Sequence, residues 1–216
     1  MLLYYITDRS QFAGDEAVRR SRLMETMAQA VRCGVDYIQL REKDLSPREL
    51  ETLAFEICGL RTENEKLKSA LLINSRTDIA LACGADGVHL RSNDISPVEV
   101  RKIWTGSGAS TLARVTVSIS CHSPSEVAEA AAQGVDFAVF GPVFEKKAVA
   151  DTRPAGLDGL RRACRERIPV LALGGITLEN ASACMQAGAA GIAGIRLFQQ
   201  NAIDKVVGEL RGSAFR

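Results

Sequence analysis

The segment Gly34-Val35-Asp36-Tyr37-Ile38 sets the architecture of this chain, because its pattern recurs three times. The other copies are Gly84-Ala85-Asp86-Gly87-Val88, Gly134-Val135-Asp136-Phe137-Ala138 and Gly188-Ala189-Ala190-Gly191-Ile192. The copies follow one another at spacings of 50, 50 and 54 residues. Each copy follows an Ala-rich stretch with helical periodicity and precedes a short apolar run. Each Gly therefore suits the left-handed position that ends a helix, and each apolar run predicts a strand.

A period near 50 residues is too long for one strand and one helix, but it accommodates two such units. Four further apolar runs of strand length lie between the copies, at residues 3–6, 71–73, 113–117 and 170–173. Eight buried strands that alternate with helices predict a parallel sheet closed into a single (βα)₈ TIM barrel, with residues 1–216 forming one domain. The main alternative is an open flavodoxin-like sheet of about five strands, which leaves the fourfold repeat unexplained.

Three helix starts support the barrel and locate its functional rim. Ser46-Pro47-Arg48-Glu49, Ser96-Pro97-Val98-Glu99 and Ser123-Pro124-Ser125-Glu126 each place Ser at the cap, Pro at the first helical position and Glu three residues after the cap. In a barrel, the helix starts follow the C-terminal ends of the strands, where active sites lie. Polar residues just before these caps are therefore the candidates for function.

The overall composition excludes several classes of partner. Lys and Arg number 27 against 26 for Asp and Glu, so the formal net charge is only +1. Such a balance provides no extended field for nucleic acid or for a membrane surface, and neither is an expected partner. There is no apolar run of the roughly 20 residues that cross a bilayer, nor a basic-then-apolar signal pattern. Six scattered cysteines without a C-x-x-C pair are typical of reduced thiols, and a cytoplasmic location is expected.

Polar residues cluster where the predicted strands end. Alternation along the second strand sends Gln39, Arg41 and Lys43 to one side, where they form either a grip for a phosphate or diphosphate or a solvated loop. Asp94, two residues before a cap, suits either a local turn or an oxygen ligand of Mg²⁺. His122 suits either packing before a helix or a general acid/base role, while His89 is expected to be structural.

Glycines follow the last two predicted strands, at Gly174-Gly175 and at Gly194-Ile195-Arg196. Backbone N–H groups approach an anion closely where side chains are absent, especially at the start of a helix. Because phosphate sites of such barrels recur after the seventh and eighth strands, these glycines favour phosphate binding over a plain turn.

Over nearly its whole length the chain resembles the thiamine phosphate synthase/TenI family. The resemblance rests on pieces spread along the chain in the family's order: Tyr5-Ile6-Thr7-Asp8, Gln39-Leu40-Arg41-Glu42-Lys43, Ile73-Asn74, Asp78-Ile79-Ala80-Leu81, Gly84-Ala85-Asp86-Gly87-Val88-His89-Leu90, Ser120-Cys121-His122-Ser123, Gly141-Pro142-Val143-Phe144 and Gly174-Gly175-Ile176-Thr177. It implies an enzyme that joins hydroxymethylpyrimidine diphosphate to a thiazole phosphate and releases diphosphate, with Mg²⁺ bound. The implied route is dissociative, through a pyrimidine-stabilised cation, and asks the protein for positioning and charge stabilisation.

The resemblance also implies roles for individual residues. Gln39, Arg41, Lys43 and Asn74 would hold the diphosphate-bearing substrate, Asp94 would bind Mg²⁺ and Ser120 would lie beside the reacting groups. Gly175 and the turn Gly194-Ile195-Arg196 would hold the thiazole phosphate. Apart from these family roles, Lys146 and Lys147 of the strand 6 loop would add positive charge by their own chemistry.

Two departures leave alternatives open. Ser75 stands where the family has a second carboxylate ligand for Mg²⁺, and Glu145-Lys146-Lys147 replaces a Thr-x-Thr-Lys segment. A weakened Mg²⁺ site is expected. The synthase is the favoured function, and a TenI-like thiazole tautomerase using His122 as acid/base is the second. A non-catalytic barrel that binds phosphate ligands is the third, and a homo-oligomer is an open expectation.

Overall fold

The computed structural model describes residues 1–62, 69–107, 114–145 and 153–212. Within them, strands and helices alternate along the chain. The strands are β1 (Leu2–Ile6), β2 (Tyr37–Leu40), β3 (Ala70–Asn74), β4 (Gly87–Leu90), β5 (Thr116–Cys121), β6 (Phe137–Phe140), β7 (Val170–Ala172) and β8 (Gly191–Gly194). The helices are α1 (Glu16–Arg32), α2 (Pro47–Thr62), α3 (Thr77–Cys83), α4 (Pro97–Gly106), α5 (Pro124–Ala132), α6 (Gly156–Ala163), α7 (Ala181–Gln186), α8 (Arg196–Gln199) and α9 (Ile203–Gly212), with a 3₁₀ turn at Arg9–Gln11.

The eight strands form a closed parallel barrel in chain order, which confirms the predicted TIM barrel. Closure is made between the last and first strands, where Gly191 of β8 pairs with Leu2 of β1 and Gly194 pairs with Tyr5. An open flavodoxin-like sheet is therefore wrong for this chain. None of the described helices is long and apolar enough to cross a membrane.

The fourfold repeat has a defined structural role at the N-terminal end of the barrel. Its four glycines, Gly34, Gly84, Gly134 and Gly188, all have left-handed φ angles, of 78°, 69°, 70° and 102°. The aspartates that follow three of them accept hydrogen bonds from amides of the preceding odd-numbered strand: Asp36 from Leu3 at 2.8 Å, Asp86 from Leu71 at 2.6 Å and Asp136 from Val117 at 2.7 Å. Each repeat thus ties two strands together, and Ala190 takes the aspartate's place in the fourth copy.

The serine caps are formed as the sequence predicts. Ser96 and Ser123 accept hydrogen bonds from the amides of Glu99 and Glu126, both at 3.2 Å. Ser46 accepts from the Glu49 amide at 3.4 Å, and the Glu49 carboxylate in turn accepts from the Ser46 amide at 2.8 Å. These caps fix the start of the helices that follow β2, β4 and β5.

The fifth strand extends beyond the apolar run that predicts it. The apolar run at 113–117 covers only its beginning, because β5 extends from Thr116 to Cys121 and residue 113 lies outside the described residues. The second half of β5 carries Ser118 and Ser120, whose side chains face His89 inside the barrel instead of an apolar neighbour. Because these inward-facing residues are polar, the second half of β5 lacks the apolar run that predicts a buried strand.

Candidate active site

The C-terminal ends of the strands open into a cavity of about 1020 Å³. Most of the polar residues and glycines singled out from the sequence line this cavity: Gln39, Arg41, Lys43, Asn74, Ser120, His122, Gly175, Gly194, Ile195 and Arg196. Segments that lie far apart in the chain therefore meet at one mouth. Lys146, and Lys147 beside it, fall outside the described residues.

One side of the barrel interior is polar, and hydrogen bonds connect its members across neighbouring strands. Gln39 on β2 donates through Nε2 to Oδ1 of Asn74 on β3 at 2.9 Å. His89 on β4 contacts the hydroxyls of Ser118 and Ser120 on β5 at 2.9 and 2.8 Å. Burial lowers the pKa of His89 to about 3, so this ring is neutral and acts as a structural bridge, as the sequence predicts.

The opposite side of the interior is apolar. It consists of side chains from β6, β7, β8 and β1, with Leu72 of β3 packed among them: Tyr4, Ile6, Leu72, Phe137, Val139, Leu171 and Ala193. Ile6 and Ala193 of this cluster line the cavity together with Leu173, so a ligand at the mouth meets an apolar surface there and hydrogen-bonding groups at Gln39 and Asn74. Such a division suits an aromatic ring that carries polar substituents on one edge.

Gln39 retains an unmet hydrogen-bonding capacity. Its side chain is only 1% exposed, and its Oε1 has no hydrogen-bond partner. A buried acceptor without a partner costs about 1–3 kcal/mol, so a ligand that brings an N–H donor to this oxygen gains binding energy. Oε1 of Gln39 is therefore suited to accept a hydrogen bond from an amino group of a ligand.

Cations outnumber carboxylates at the mouth, where Glu145 and Glu179 are the carboxylates among the described lining residues. Four cations of the described residues line it: Arg41, Lys43, Arg91 and Arg196. Arg41 is half-buried, and it forms no salt bridge with any described residue. Burial lowers its pKa, although the charges of Asp8 and Glu42 partly offset that effect. An unpaired, half-buried guanidinium is stabilised by an anion, and carboxylates or phosphates are the anions it holds best.

The backbone around Arg41 is held from both sides. Its amide donates to the Thr7 hydroxyl at 2.9 Å. The next residue, Glu42, turns the other way and is buried against Arg9, accepting from its amide at 2.9 Å and its guanidinium at 3.2 Å. Burial raises the pKa of Glu42 despite its bonds to Arg9. This buried pair anchors the β2–α2 loop, so that Arg41 faces the cavity.

Asp94 lies behind the cavity wall and is occupied by Arg91. Its side chain is 10% exposed, and its two oxygens accept from the Arg91 amide at 2.8 Å and the Arg91 guanidinium at 2.9 Å. Burial alone would raise the pKa of Asp94, but the bonds from Arg91 and Ser75 outweigh it and lower the pKa. No group of three His, Cys, Asp or Glu side chains suited to a metal occurs in the described parts of the chain. With a guanidinium on its one carboxylate, this donor set does not fit a resident Mg²⁺.

His122 lines the mouth from the end of β5. Its Nδ1 lies 2.6 Å from the Gly141 carbonyl oxygen, and its amide donates to Glu126 at 2.8 Å. A carbonyl oxygen only accepts hydrogen bonds, so Nδ1 must carry the proton. In the neutral ring, Nε2 therefore keeps its lone pair and can accept a proton from a ligand.

The glycines after β7 shape the wall opposite β3. Gly174 and Gly175 have φ angles of 97° and 65°, and a Cβ on Gly175 would lie 2.7 Å from the Glu145 carbonyl oxygen and from Cβ of Phe144. Gly174 and Gly175 do not lie at the N-terminus of a helix, because α7 begins only at Ala181. The chain instead turns back against the β6 loop, where Phe144 donates to the Gly174 carbonyl at 3.0 Å.

Some wall residues are not identified by the sequence reasoning. Arg91 follows the end of β4 as Arg41 follows β2, and that placement is the signal that could have identified it. Gln11, Gln200 and Asn201 also line the cavity, but they belong to no motif that marks them in advance.

Comparison with known proteins gives a consistent result. The model of a family described as thiamine monophosphate synthase matches residues 3–198. A putative thiamine-phosphate synthase 2 of Aquifex aeolicus is 39% identical over 197 residues, covering 91% of this chain and 96% of the relative. A putative thiamine-phosphate synthase of Geobacter sulfurreducens is 42% identical over 193 residues, 88% of this chain and 83% of the relative. A solved structure, thiamine phosphate pyrophosphorylase from Pyrococcus furiosus, has a TM-score of 0.78 at 30% identity, covering 98% of this chain and 94% of that chain.

Proposed function

Since the chain belongs to the thiamine monophosphate synthase family, we propose that its barrel mouth joins hydroxymethylpyrimidine diphosphate to a thiazole phosphate. The bond between the pyrimidine methylene carbon and the diphosphate oxygen breaks, and its electron pair leaves with diphosphate. The thiazole nitrogen then donates its lone pair to the methylene carbon, which forms thiamine phosphate. The protein supplies position and charge rather than a nucleophile.

The observation that carries this proposal is the half-buried guanidinium of Arg41, which has no ion-pair partner among the described residues and faces the cavity. A diphosphate supplies the missing charge there, and the negative charge it gains as it leaves strengthens the interaction. Lys43 lines the same wall and adds to the field. The arrangement therefore favours the departing group more than the bound substrate, as catalysis requires.

The polar side of the cavity suits the pyrimidine. The partnerless Oε1 of Gln39 would accept a hydrogen bond from the ring's amino group, while Nε2 stays on Asn74. Ser120, held by His89, would lie beside the reacting carbon. The apolar residues that line the cavity, among them Ile6, Leu173 and Ala193, would pack against the ring.

The thiazole phosphate is assigned to the glycine wall. Gly175 lines the cavity, and it must be glycine because any Cβ there would clash with Glu145 and Phe144 of the β6 loop. Arg196, next to Gly194 and Ile195, would add a cation for the phosphate. Any requirement for Mg²⁺ is expected to be weak, because the one predicted ligand, Asp94, already holds Arg91.

The proposal extends to the setting of the enzyme. All six cysteines lie in the described part of the chain and form no disulfide there, which is compatible with a reducing cytoplasm. We place the whole chain, residues 1–216, in one functional domain whose partners are the two small phosphorylated substrates.

The test is a coupling assay with both substrates, in which thiamine phosphate and released diphosphate are quantified. Wild-type protein should form both products in equal amounts, and Arg41→Ala should reduce turnover strongly. Arg161→Ala is the control, because Arg161 is an exposed arginine of α6 outside the cavity. Full turnover by Arg41→Ala would remove Arg41 from the site. Absence of product despite tight binding of both substrates would favour the third alternative, a non-catalytic barrel that binds phosphate ligands.

A second candidate, isomerisation of the thiazole phosphate, is favoured by His122. With Nδ1 on the Gly141 carbonyl, Nε2 is the basic nitrogen of a ring that lines the cavity. Incubation with the thiazole phosphate alone tests this function, and His122→Ala should abolish the isomerisation. Isomerisation that survives in this variant would eliminate the proton-transfer role of His122.

A further inference from the structure

Arg91 is held over the mouth by an ion pair with unusual geometry for a surface pair. The partner carboxylate of Asp94 is only 10% exposed, while the Arg91 side chain is 55% exposed and lines the cavity. The backbone amide and the guanidinium of Arg91 both bind this carboxylate, at 2.8 and 2.9 Å. The carboxylate thus fixes the guanidinium relative to its own backbone, at the start of the loop after β4.

The guanidinium retains donors for a ligand. It has five N–H groups, and the contacts with Asp94 involve only Nη2 and, at 3.5 Å, Nε. Its pKa is raised by the Asp94 carboxylate, so it keeps its charge at any working pH. Asp94 therefore directs and stabilises a permanent cation whose remaining donors are available at the cavity.

The pair is connected to the residues that meet the pyrimidine. Gln39 donates to Asn74 at 2.9 Å, and Asn74 donates through Nδ2 to the Ser75 hydroxyl at 3.1 Å. Burial raises the pKa of the Asp94 carboxyl, and Ser75 helps Arg91 to lower it, so Ser75 lies close to that carboxyl. Ser75 is held in a left-handed conformation, at φ 61°, by a bond from its amide to the His89 carbonyl at 2.8 Å. Hydrogen bonds thus connect the buried amide of Gln39 to Ser75, which lies beside the carboxylate that holds the guanidinium at the mouth.

From this geometry we propose that Arg91, positioned by Asp94 and Ser75, binds the diphosphate where a divalent ion would otherwise stand, so that this chain holds diphosphate without Mg²⁺. The inference rests on the proposed function, since it concerns the diphosphate of that same site. Arg91 and Arg41 follow the ends of β4 and β2 and face one cavity, so a diphosphate between them has a cation for each phosphate group. Asp94 fixes the Arg91 guanidinium in advance, so little reorganisation of this residue accompanies release of diphosphate.

The test measures binding of inorganic pyrophosphate by isothermal titration calorimetry, with EDTA present and then with added Mg²⁺. Wild-type protein should bind in EDTA, and Mg²⁺ should not tighten binding. Arg91→Ala should weaken binding in EDTA by about 10–100-fold, the loss of one or two charge-assisted hydrogen bonds. Arg91→Lys, which keeps the charge and loses the fork, should fall between the two.

Arg161→Ala is the matched control. Arg161 pairs with Asp158 at the same i,i+3 spacing and is 52% exposed, but it lies on α6 away from the cavity. This variant should bind pyrophosphate like the wild type. The double variant Arg91→Ala/Ser75→Asp removes the guanidinium and adds a carboxylate beside Asp94, and it should bind pyrophosphate only when Mg²⁺ is present. The left-handed backbone conformation of residue 75 tolerates Asp.

Two results would overturn the inference: wild-type binding that appears only with Mg²⁺, or Arg91→Ala binding in EDTA as tightly as the wild type. Neither result touches the coupling reaction, which is measured separately by product formation in the presence of Mg²⁺. Conversely, absence of coupled product from the wild type contradicts the proposed function without changing the pyrophosphate titration.

Discussion

Replacement of Arg41 by Met separates what this residue contributes to folding from what it contributes to binding. Methionine keeps an aliphatic stem of similar length but removes the guanidinium. In the folded protein Arg41 is half-buried, lacks an ion pair among the described residues and has a pKa lowered by burial. The unliganded protein therefore loses no salt bridge and is relieved of a partly desolvated charge. We expect its thermal midpoint to stay unchanged or to rise.

The ligand-bound protein should behave in the opposite way. A hydrogen bond to a charged group contributes about 1.5–3 kcal/mol, so Arg41→Met should weaken pyrophosphate binding by about 10–150-fold. Pyrophosphate at about 100 times its dissociation constant stabilises the wild type by ~2.7 kcal/mol, which raises the midpoint by ~5–11 °C for a chain of this size. If affinity falls about 100-fold, the same concentration contributes only ~0.4 kcal/mol, or ~1–2 °C.

Scanning calorimetry with and without inorganic pyrophosphate measures both quantities in one series. Arg161→Met is the control, because it removes an exposed arginine that lies outside the cavity. It should keep the wild-type response to pyrophosphate. The reasoning is refuted if Arg41→Met lowers the midpoint of the unliganded protein by several degrees while its shift with pyrophosphate matches that of the wild type.

Three further predictions concern other parts of the site. The pKa of His89 is about 3 in the folded protein and near 6.5 in the unfolded chain, so between pH 3 and pH 6.5 only the unfolded state binds this proton. The free energy of unfolding should therefore fall as the pH decreases through this range, by up to about 1.4 kcal/mol per pH unit from this group. Urea unfolding of His89→Gln should show a shallower pH slope, and a slope equal to that of the wild type would contradict the buried neutral histidine. Gly175→Ala should lower the free energy of unfolding by about 1–3 kcal/mol and weaken thiazole phosphate binding, because the new Cβ would lie 2.7 Å from a backbone oxygen. The control is Gly84→Ala, which has a similar φ angle and open space around it and should cost only ~1 kcal/mol. Equal losses of stability in calorimetry would disprove the packing argument. His122→Gln should retain coupling of the two substrates but lose isomerisation of the thiazole phosphate, because coupling needs no basic Nε2. Loss of both activities to the same degree would instead assign His122 to substrate binding.

The barrel itself could be predicted from sequence because its repeat carries local physical requirements. A left-handed residue must end each helix, which favours glycine at 34, 84, 134 and 188. Asp36, Asp86 and Asp136 recur because each caps an amide of a neighbouring strand. Because these constraints are local and recur along the chain, they can be recognised in a single sequence. The second half of β5 was less visible, since its serines pair with a buried histidine instead of with apolar side chains.

The site could be predicted only as far as strand ends determine it. Gln39, Arg41, Asn74 and Ser120 reach the cavity because alternation along a strand sets their direction. Loop residues have no such rule. The pairing of Asp94 with Arg91 depends on the turn that brings residue 94 back to the amide of residue 91, and the sequence offered both a turn and a metal ligand as readings. The turn of Gly174 and Gly175 against the β6 loop is likewise a tertiary contact.

A crystal structure of the protein with pyrophosphate and thiazole phosphate bound together tests the central claim most directly. The account places pyrophosphate between Arg41 and Arg91, and the thiazole phosphate against Gly175 and Arg196, with both ligands inside the one cavity. Ligands bound on unrelated surfaces, or a cavity that stays without phosphate at saturating concentrations, would contradict it.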